Sequence, residues 1–245
     1  MRQVVASWSG GKDSCFACYK AASSGVVKIS HIYNAVSKEY GRVSFHGIKS
    51  ELISLQAQAM GIPLVQRKVD ENNYEEEFKD AMRKLKLVGI KGACFGDVEL
   101  QEHKNWIERV CKEVDIEPIL PLWGNDPEQI LIDFIDQGFE ATIASAKADL
   151  FDKGWVGRKV DKRFVEDLYR LKEKHNFHIL GESGEFHTFV TNGPNFKQRI
   201  KILETKKVLI GGYWFLDIVK YELKSKKVEP ILKNLGWSKE VKNYG

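Results

Sequence analysis

Short apolar runs alternate with amphipathic stretches along the first half of the chain. A short continuous apolar run predicts a buried strand, and apolar residues recurring every three or four positions predict a helix. The predicted strands cover residues 3–8, 29–36, 64–69 and 93–96. The predicted helices carry Phe16 and Ala17; Leu52, Leu55 and Ala59; Tyr74, Phe78, Met82 and Leu85; and Ile107, Val110 and Val114. This alternation is typical of a parallel sheet with helices on both faces.

The pattern changes after residues 121–124, which read Pro-Leu-Trp-Gly. Beyond them the apolar spacing predicts a helix around Phe134, a strand at 140–145 and a helix around Leu168. Mostly strand-like runs follow, among them 214–223 with a period of two. We therefore predict an α/β domain over residues 1–125, a smaller α+β domain over 126–224 and a lysine-rich tail over 225–245.

Composition narrows the class of protein. With 245 residues and 43% hydrophobic content, the chain has enough apolar material for a buried core, which excludes disorder. Its 38 basic and 34 acidic residues are spread along the chain, so charge alone does not indicate a nucleic-acid partner. The absence of a long unbroken apolar run or a secretory signal pattern predicts a cytoplasmic protein with no membrane partner.

The four cysteines are too few and too scattered for a disulfide scaffold, so reduced thiols are expected. Cys15 and Cys18 have the spacing of a metal-binding pair, but Cys94 and Cys111 are not a second close pair. We therefore expect Cys15 and Cys18 to be small core residues on a helix.

The strongest chemical signal lies between the first predicted strand and the first predicted helix, in Ser9, Gly10, Gly11, Lys12, Asp13 and Ser14. The two glycines permit a tight turn, and the N-terminus of the helix offers unpaired N–H groups and a partial positive charge to an anion. The serines add hydroxyl donors, Lys12 a mobile positive charge, and Asp13 a capping oxygen or a metal ligand. The Walker A and Rossmann glycine patterns are absent. We expect these residues to bind pyrophosphate; the alternative is a helix-capping turn.

Residues 9–14 resemble the signature of the PP-loop ATP pyrophosphatases, which cleave ATP to AMP and pyrophosphate while adenylating a substrate oxygen. The resemblance implies a Rossmann-like, HUP-type nucleotide-binding domain. Three further stretches are similar to the diphthine-ammonia ligase family within that class. The first contains Gly96, Asp97 and Val98, followed by Lys104, Glu108 and residues 121–124. The second is residues 151–158, in which Phe151 and Val156 stand in place of two leucines. The third is residues 181–188. In the last stretch this chain has Ser183, Phe186 and His187 where the family signature has Gly, Tyr and Glu.

The resemblance extends from Ser9 to Thr188, which is most of the chain, and the length is that of the short archaeal form of the family. It implies an ATP-dependent ligase with Mg²⁺ that amidates diphthine on elongation factor 2 with ammonia. The oligomeric state stays open, with a homodimer among the options.

The residues and the resemblance together give a set of expected site residues. Nucleotide binding is expected at Ser9, Gly10, Gly11, Lys12, Asp13, Ser14, Asn34, Ala35, His46, Gly96 and Asp97. Catalytic roles are expected for Lys12, Asp13, Glu185 and His187, substrate binding for Arg158, Glu182, Gly184, Glu185 and Thr188, and a metal contact for Asp13 and Asp97.

Several of these residues also have structural interpretations. Asp97 is placed to cap the following helix, and His46 to be a capping or core histidine. Arg158 is placed to form a surface ion pair, and residues 182–188 to form a solvent-exposed hairpin without function. His175 and His178 are expected to be solvated, with no metal partner.

Two other functions remain open at the level of the sequence. The first is a tRNA-modifying PP-loop enzyme, either a thiolation enzyme that uses Cys15 and Cys18 or a lysidine-type ligase. The dispersed charge argues against it, because tRNA binding usually requires a contiguous basic face. The second is a non-catalytic adenine-nucleotide sensor, because fold and loop do not establish chemistry.

Overall fold

A computed structural model of the protein describes residues 1–39, 41–43 and 47–226. The predicted tail therefore lies outside the described residues from position 227 onward, and so does His46. The described residues of the first half form five strands and four helices. They are β1 (Arg2–Ser7), α1 (Lys12–Ser23), β2 (Val27–Ser37), α2 (Ser50–Met60), β3 (Leu64–Val69), α3 (Tyr74–Leu87), β4 (Gly92–Cys94), α4 (Gln101–Glu113) and β5 (Glu117–Ile119).

The five strands form one parallel sheet in the order β3-β2-β1-β4-β5. Side chains of β1 alternate between its faces: Val4 and Ala6 pack in the core that contains α1 and α2, and Val5 packs in the core that contains α3 and α4. The predicted parallel sheet with helices on both faces is confirmed. The strand β5 was not predicted, because it has only three residues and one of them is Pro118.

In the second half, as far as residue 226, there are two helices and a four-stranded antiparallel sheet in the order β7-β6-β9-β8. Its elements are α5 (Pro127–Asp136), β6 (Glu140–Lys147), α6 (Lys162–Lys172), β7 (Phe186–Asn192), β8 (Gln198–Ile210) and β9 (Tyr213–Ser225). The long hairpin of β8 and β9 turns at Gly211 and Gly212, which both have positive φ. This arrangement confirms the predicted α+β character.

One apolar core joins the two sheets. It contains Phe16 of α1 and Leu52 of α2 together with Phe186 and Phe189 of β7. As a result, β7 lies beside the start of α1, where the Val190 N–H donates to the Gly10 carbonyl at 3.0 Å. The second half of the chain therefore borders the junction between β1 and α1.

The cysteines have the structural role predicted for them. All four are free and buried. Burial raises the pKa of the Cys15 and Cys18 thiols, so neither is held as a reactive thiolate. Among the helices of the described residues, none has the length and apolar character needed to cross a membrane.

Candidate active site

A cavity of about 230 Å³ opens at the carboxyl ends of β1, β2 and β4. In the order of the sheet, β1 is the strand from which the chain proceeds to β2 on one side and later to β4 on the other. Such a switch point is where open α/β sheets bind ligands. The expected site residues that line it are Ser9, Asp13, Ser14, Asn34, Ala35, Gly96, Asp97, Glu182 and His187. A larger cavity of about 690 Å³ beside β6 and β8 contains none of them.

Ser9, Gly10 and Gly11 form a tight loop between β1 and α1, and residues 12–14 form the first turn of α1. Gly10 has a φ of 85°, and a Cβ added there would lie 2.5 Å from Ile53 Cδ1. The Ser9 and Ser14 hydroxyls are 3.2 Å apart, and the Gly11 N–H donates to Ser9 Oγ at 3.3 Å. The helix therefore begins at Lys12 with its N-terminus directed at the cavity, as an anion site requires.

Contacts from outside the loop hold it in place. The Lys12 N–H donates to Thr188 Oγ1 at 2.9 Å, so a hydroxyl from β7 satisfies one of the first amides of α1. Gln56, fully buried on α2, donates to the carbonyls of Gly10 at 3.0 Å and Val190 at 2.7 Å. Its amide oxygen accepts from Trp8 Nε1 at 2.8 Å. Thr188, expected to bind substrate, thus has a direct structural contact with the loop.

Lys12 does not have the mobility that the sequence suggested. It is only 3% exposed, and its ammonium donates to the Leu180 carbonyl at 2.5 Å and to Asp13 Oδ2 at 3.0 Å. It also lies 5.1 Å from the centre of the Phe186 ring. The physical reason is that β7 and its preceding loop close over the start of α1. The charge of Lys12 is therefore fixed in position.

The other Asp13 oxygen, Oδ1, is buried and has no hydrogen-bond partner among the described residues. The same is true of the Tyr33 hydroxyl, which also belongs to a residue that lines the cavity. Unpaired buried polar atoms are costly and uncommon in native proteins. The unpaired oxygen of Asp13 therefore indicates a polar ligand in this cavity.

The end of β2 offers backbone rather than side-chain groups. The Asn34 amide donates to the Trp8 carbonyl at 2.8 Å and accepts from Gln66 Nε2 at 3.1 Å. The Asn34 side chain is therefore committed to β1 and β3, while the neighbouring Ala35, which also lines the cavity beyond the last β1–β2 pair at Tyr33, offers only its backbone. This arrangement suits the backbone recognition of adenine that the family resemblance implies.

Asp97 follows β4 and contacts a histidine that the sequence did not single out. Asp97 Oδ1 lies 3.0 Å from His103 Nδ1, and this contact raises the pKa of the His103 imidazole. The alternative that Asp97 caps the next helix is wrong, since α4 begins at Gln101 without a side-chain cap.

Glu182 and Glu185 anchor the loop that precedes β7. Glu182 Oε1 accepts from the Val98 N–H at 2.8 Å and so connects the two halves of the chain. Glu185 is 5% exposed, and its Oε1 accepts from the His178 N–H at 2.9 Å. Gly184 between them has a φ of 81° and an open Cβ position, with only Tyr213 Oη within 4 Å. This geometry is more constrained than that of a solvent-exposed hairpin.

The expectation that His178 is solvated is wrong. Its side chain is 16% exposed, and Nε2 lies 2.7 Å from Glu99 Oε1 and 3.9 Å from Glu182 Oε2. Ligand atoms of Glu99, His178 and Glu182 all lie within 4.8 Å of one another, so possible metal partners do exist. The correction arises because the loop folds back onto the segment after β4. His175 is exposed, as expected.

Arg158 is not brought to the cavity. Its guanidinium donates to Asp167 at 2.6 Å and lies 4.5 Å from the centre of the Trp155 ring. The structure therefore shows the ion pair that was the alternative interpretation of this residue.

His187 lines the cavity and has an unusual proton affinity. Burial, followed by the charges of Lys12 and Lys147, lowers the pKa of its imidazole to about 4. The side chain therefore remains neutral at neutral pH.

The lowered pKa of His187 predicts that this residue makes the folded protein less stable in acid. Between the usual pKa of 6.5 and the folded value of about 4, the unfolded chain binds a proton at this residue that the folded chain does not. The free energy of unfolding should therefore decrease as the pH falls through this window, by up to roughly 3 kcal/mol from this group. Urea unfolding of the wild type and His187→Gln at pH 7 and pH 4.5 measures it. An equal loss of stability in both proteins would contradict the assignment.

A parallel sheet with a phosphate loop after β1 and a cavity at its switch point defines an α/β nucleotide-binding protein of the PP-loop kind. The chain belongs to the diphthamide synthase family. The family's N-terminal domain matches residues 1–118, and its C-terminal domain matches residues 126–225. The protein is accordingly an ATP-dependent ligase that forms a carbon–nitrogen bond, and the tRNA-modifying alternative is not favoured.

Curated relatives agree with this assignment. The chain is 28% identical over 229 residues to the human protein named diphthine–ammonia ligase, covering 85% of each chain. It is 28% identical over 227 residues to the zebrafish (Danio rerio) protein of that name, covering 84% of this chain and 89% of the relative. It is 26% identical over 262 residues to the rat (Rattus norvegicus) protein, covering 99% of this chain and 98% of the relative.

Proposed function

We propose that this ligase amidates the carboxylate of diphthine on elongation factor 2, using ATP and ammonia. The observation that carries the proposal is that the loop before β7 borders the nucleotide cavity through Leu180, Gly181 and Glu182, and β7 itself borders it through His187. A substrate recognised by this loop would lie beside the phosphates of ATP. The names of the relatives, which are diphthine–ammonia ligases, support the identity of the substrate.

In the proposed first step, a carboxylate oxygen of the acceptor attacks the α-phosphate of ATP. The bond between the α- and β-phosphates breaks, pyrophosphate leaves with its electron pair, and an acyl-adenylate forms. The partial positive charge at the N-terminus of α1 and the fixed ammonium of Lys12 would stabilise the charge that develops on pyrophosphate. Because these groups are already in position, they need little reorganisation during the reaction.

The residues present fit Mg²⁺. Asp13 Oδ1 is a buried carboxylate oxygen without a partner among the described residues, and Asp97 contributes a second carboxylate to the same cavity. Oxygen ligands of this type, completed by phosphate oxygens, are those that Mg²⁺ prefers. When bound, the ion would supply charge neutralisation to the phosphates.

In the proposed second step, ammonia replaces AMP on the activated acyl carbon. We propose that Glu185 and His187 act on the acceptor side of this step; their position on or beside β7, and not on the phosphate loop, supports this. We expect alanine substitution of either residue to spare ATP binding and to abolish amide formation. Loss of the ATP affinity would place them with the nucleotide.

The direct test is to incubate the protein with ATP, ammonium and elongation factor 2 that carries diphthine, and to measure the mass of the factor. Conversion of a carboxylate to an amide lowers the mass by about one dalton, which high-resolution mass spectrometry of the modified peptide detects. Tight ATP binding without any product from this acceptor would contradict the proposed substrate and favour a nucleotide sensor.

A further inference from the structure

Three polar residues lie close together at the end of the β6–β7 ladder, next to the nucleotide cavity. Ser145 of β6 is directly opposite His187 of β7, so their side chains are neighbours on one face of the second sheet. Glu185 comes just before β7, and its carbonyl accepts from the Lys147 N–H at 2.9 Å, which holds it beside the same pair of strands.

Two of these side chains hold buried atoms that the described residues leave without a hydrogen bond. Ser145 is 1% exposed and Glu185 is 5% exposed. Ser145 Oγ and Glu185 Oε2 are buried, and neither makes a hydrogen bond to any described residue. A buried acceptor without a donor, especially on a carboxylate, costs considerable free energy. Both atoms therefore indicate a small ligand that carries N–H or O–H groups.

The position of this face relates the ligand to the proposed reaction. His187 lines the nucleotide cavity, and Ser145 is its direct neighbour on β6. The acyl-adenylation step uses neither Ser145 nor Glu185. A small nucleophile held here would approach the acyl carbon from the β7 side of the cavity.

We propose that Ser145, Glu185 and His187 form the binding site for the ammonia molecule that supplies the amide nitrogen. This inference rests on the proposed function. Ammonia has three N–H donors, which match acceptors on Glu185 Oε2 and Ser145 Oγ, and it is small enough for a buried position.

The nucleophile at this site is neutral ammonia, because the ammonium ion has no lone pair with which to attack the acyl carbon. Lys12 of α1 and Lys147 of β6 both act electrostatically on His187, and they would oppose a further cation in the same way. The carboxylate of Glu185 accepts N–H hydrogen bonds from neutral ammonia without requiring an ion pair. Ammonium would thus lose a proton to solvent when ammonia enters the site.

The bond changes then balance. The lone pair of ammonia attacks the acyl carbon of the adenylate, and the bond from that carbon to the AMP oxygen breaks, with its electrons leaving on AMP. The nitrogen loses one proton, which is released to solvent. The products are the amide, AMP and one proton.

The first experiment separates the two half-reactions in Glu185→Gln and Ser145→Ala. Acceptor-dependent exchange of labelled pyrophosphate into ATP, without ammonium, measures adenylation, and amide formation against ammonium concentration gives the KM for the nucleophile. We expect exchange within about twofold of wild type. The KM for ammonium should rise by about tenfold or more in Glu185→Gln and by about three- to tenfold in Ser145→Ala, as expected for losing a charged and a neutral hydrogen bond. Glu222→Gln, an exposed residue of β9, is the matched control and should leave both values unchanged.

The melting temperatures of the same variants show whether they are folded, so that a change in KM is not mistaken for a loss of structure. Since Ser145 Oγ makes no hydrogen bond with a described residue, Ser145→Ala should melt at or above the wild-type temperature. If a folded variant loses pyrophosphate exchange as well as its dependence on ammonium, the substituted residue contacts the acceptor, and the proposed ammonia site is wrong. An unchanged KM for ammonium in both variants would overturn it outright.

A second experiment does not require the acceptor and so is independent of the proposed function. Ammonium chloride should raise the melting temperature of the wild type above that in sodium chloride of equal ionic strength, and more so at pH 8.5 than at pH 7 because more ammonia is present. Tetramethylammonium chloride, which has no N–H donor, should give no such shift. Persistence of the ammonium shift in Glu185→Gln, or its absence in the wild type, would contradict the proposal. If the wild type shows the shift but forms no amide on elongation factor 2, the proposed acceptor fails while the ammonia site stands.

Discussion

Lys12→Met should lower the rate of acceptor-dependent AMP formation by about a hundredfold or more. Lys12 is buried, and its ammonium is fixed between the Leu180 carbonyl and Asp13, so the substitution removes a preorganised charge from the phosphate site. Loss of one such contact to the transition state costs about 3 to 4 kcal/mol. Steady-state AMP release at saturating ATP measures the effect.

The matched control for this experiment is Lys20→Met, in the last turn of the same helix. Lys20 is partly exposed, and its nearest acidic partner is Asp133 at 3.7 Å, far along the helix from the loop. Its substitution should leave AMP release within about twofold of wild type, as expected for an exposed ion pair. Near-normal turnover of folded Lys12→Met would remove residues 9–14 from the phosphate site.

Gly96→Ala should weaken ATP binding by about tenfold or more. A Cβ at position 96 would lie 2.6 Å from the Ser14 backbone nitrogen and 2.7 Å from the Asp13 backbone carbon. Because these atoms belong to the first turn of α1 and not to a flexible side chain, the new methyl group must displace the phosphate loop or β4. Overpacking of this kind costs about 1 to 3 kcal/mol. Isothermal titration with ATP measures it.

Gly154→Ala is the control for this substitution. Its Cβ would lie 2.8 Å from Asp152 Oδ1, the end of an exposed side chain that can move away. ATP affinity should therefore remain at the wild-type value. Equal ATP affinity in folded Gly96→Ala and in the wild type would show that the loop does not need this close approach to β4.

The sequence predicted the long elements of the first sheet because their periodicity is strong. In α3, Tyr74, Phe78, Met82 and Leu85 mark one face, and the structure packs that face against the sheet. β5 lacks such a signal, since three residues with a central proline are too short to show a period. The sequence signal for β8 is also weak, because its residues from Leu203 to Ile210 are exposed on both faces of the strand.

The site was predicted where its residues are adjacent in sequence, and missed where tertiary contacts create it. The phosphate loop is contiguous and glycine-rich, so its chemistry is visible before folding. Gln56 appears in the sequence as one polar residue on the buried face of α2, and that position is the only available signal. Tyr33 and His103 become relevant only because β2 and α4 deliver them to the same cavity as Asp97. His178 was misjudged for the same reason.

Because the Thr188 hydroxyl accepts a hydrogen bond from the Lys12 N–H, the nucleotide pocket is assembled from both halves of the chain. A fragment ending at Gly124 would keep all five parallel strands but would lack one partner of the first helical turn, and the Lys12 ammonium would lose the Leu180 carbonyl. Bound ATP would then oppose separation of the two sheets. Adding ATP should therefore increase the protease resistance of the linker near Gly124. Conversely, a substitution in β7 that weakens ATP binding does not by itself identify a contact with the nucleotide.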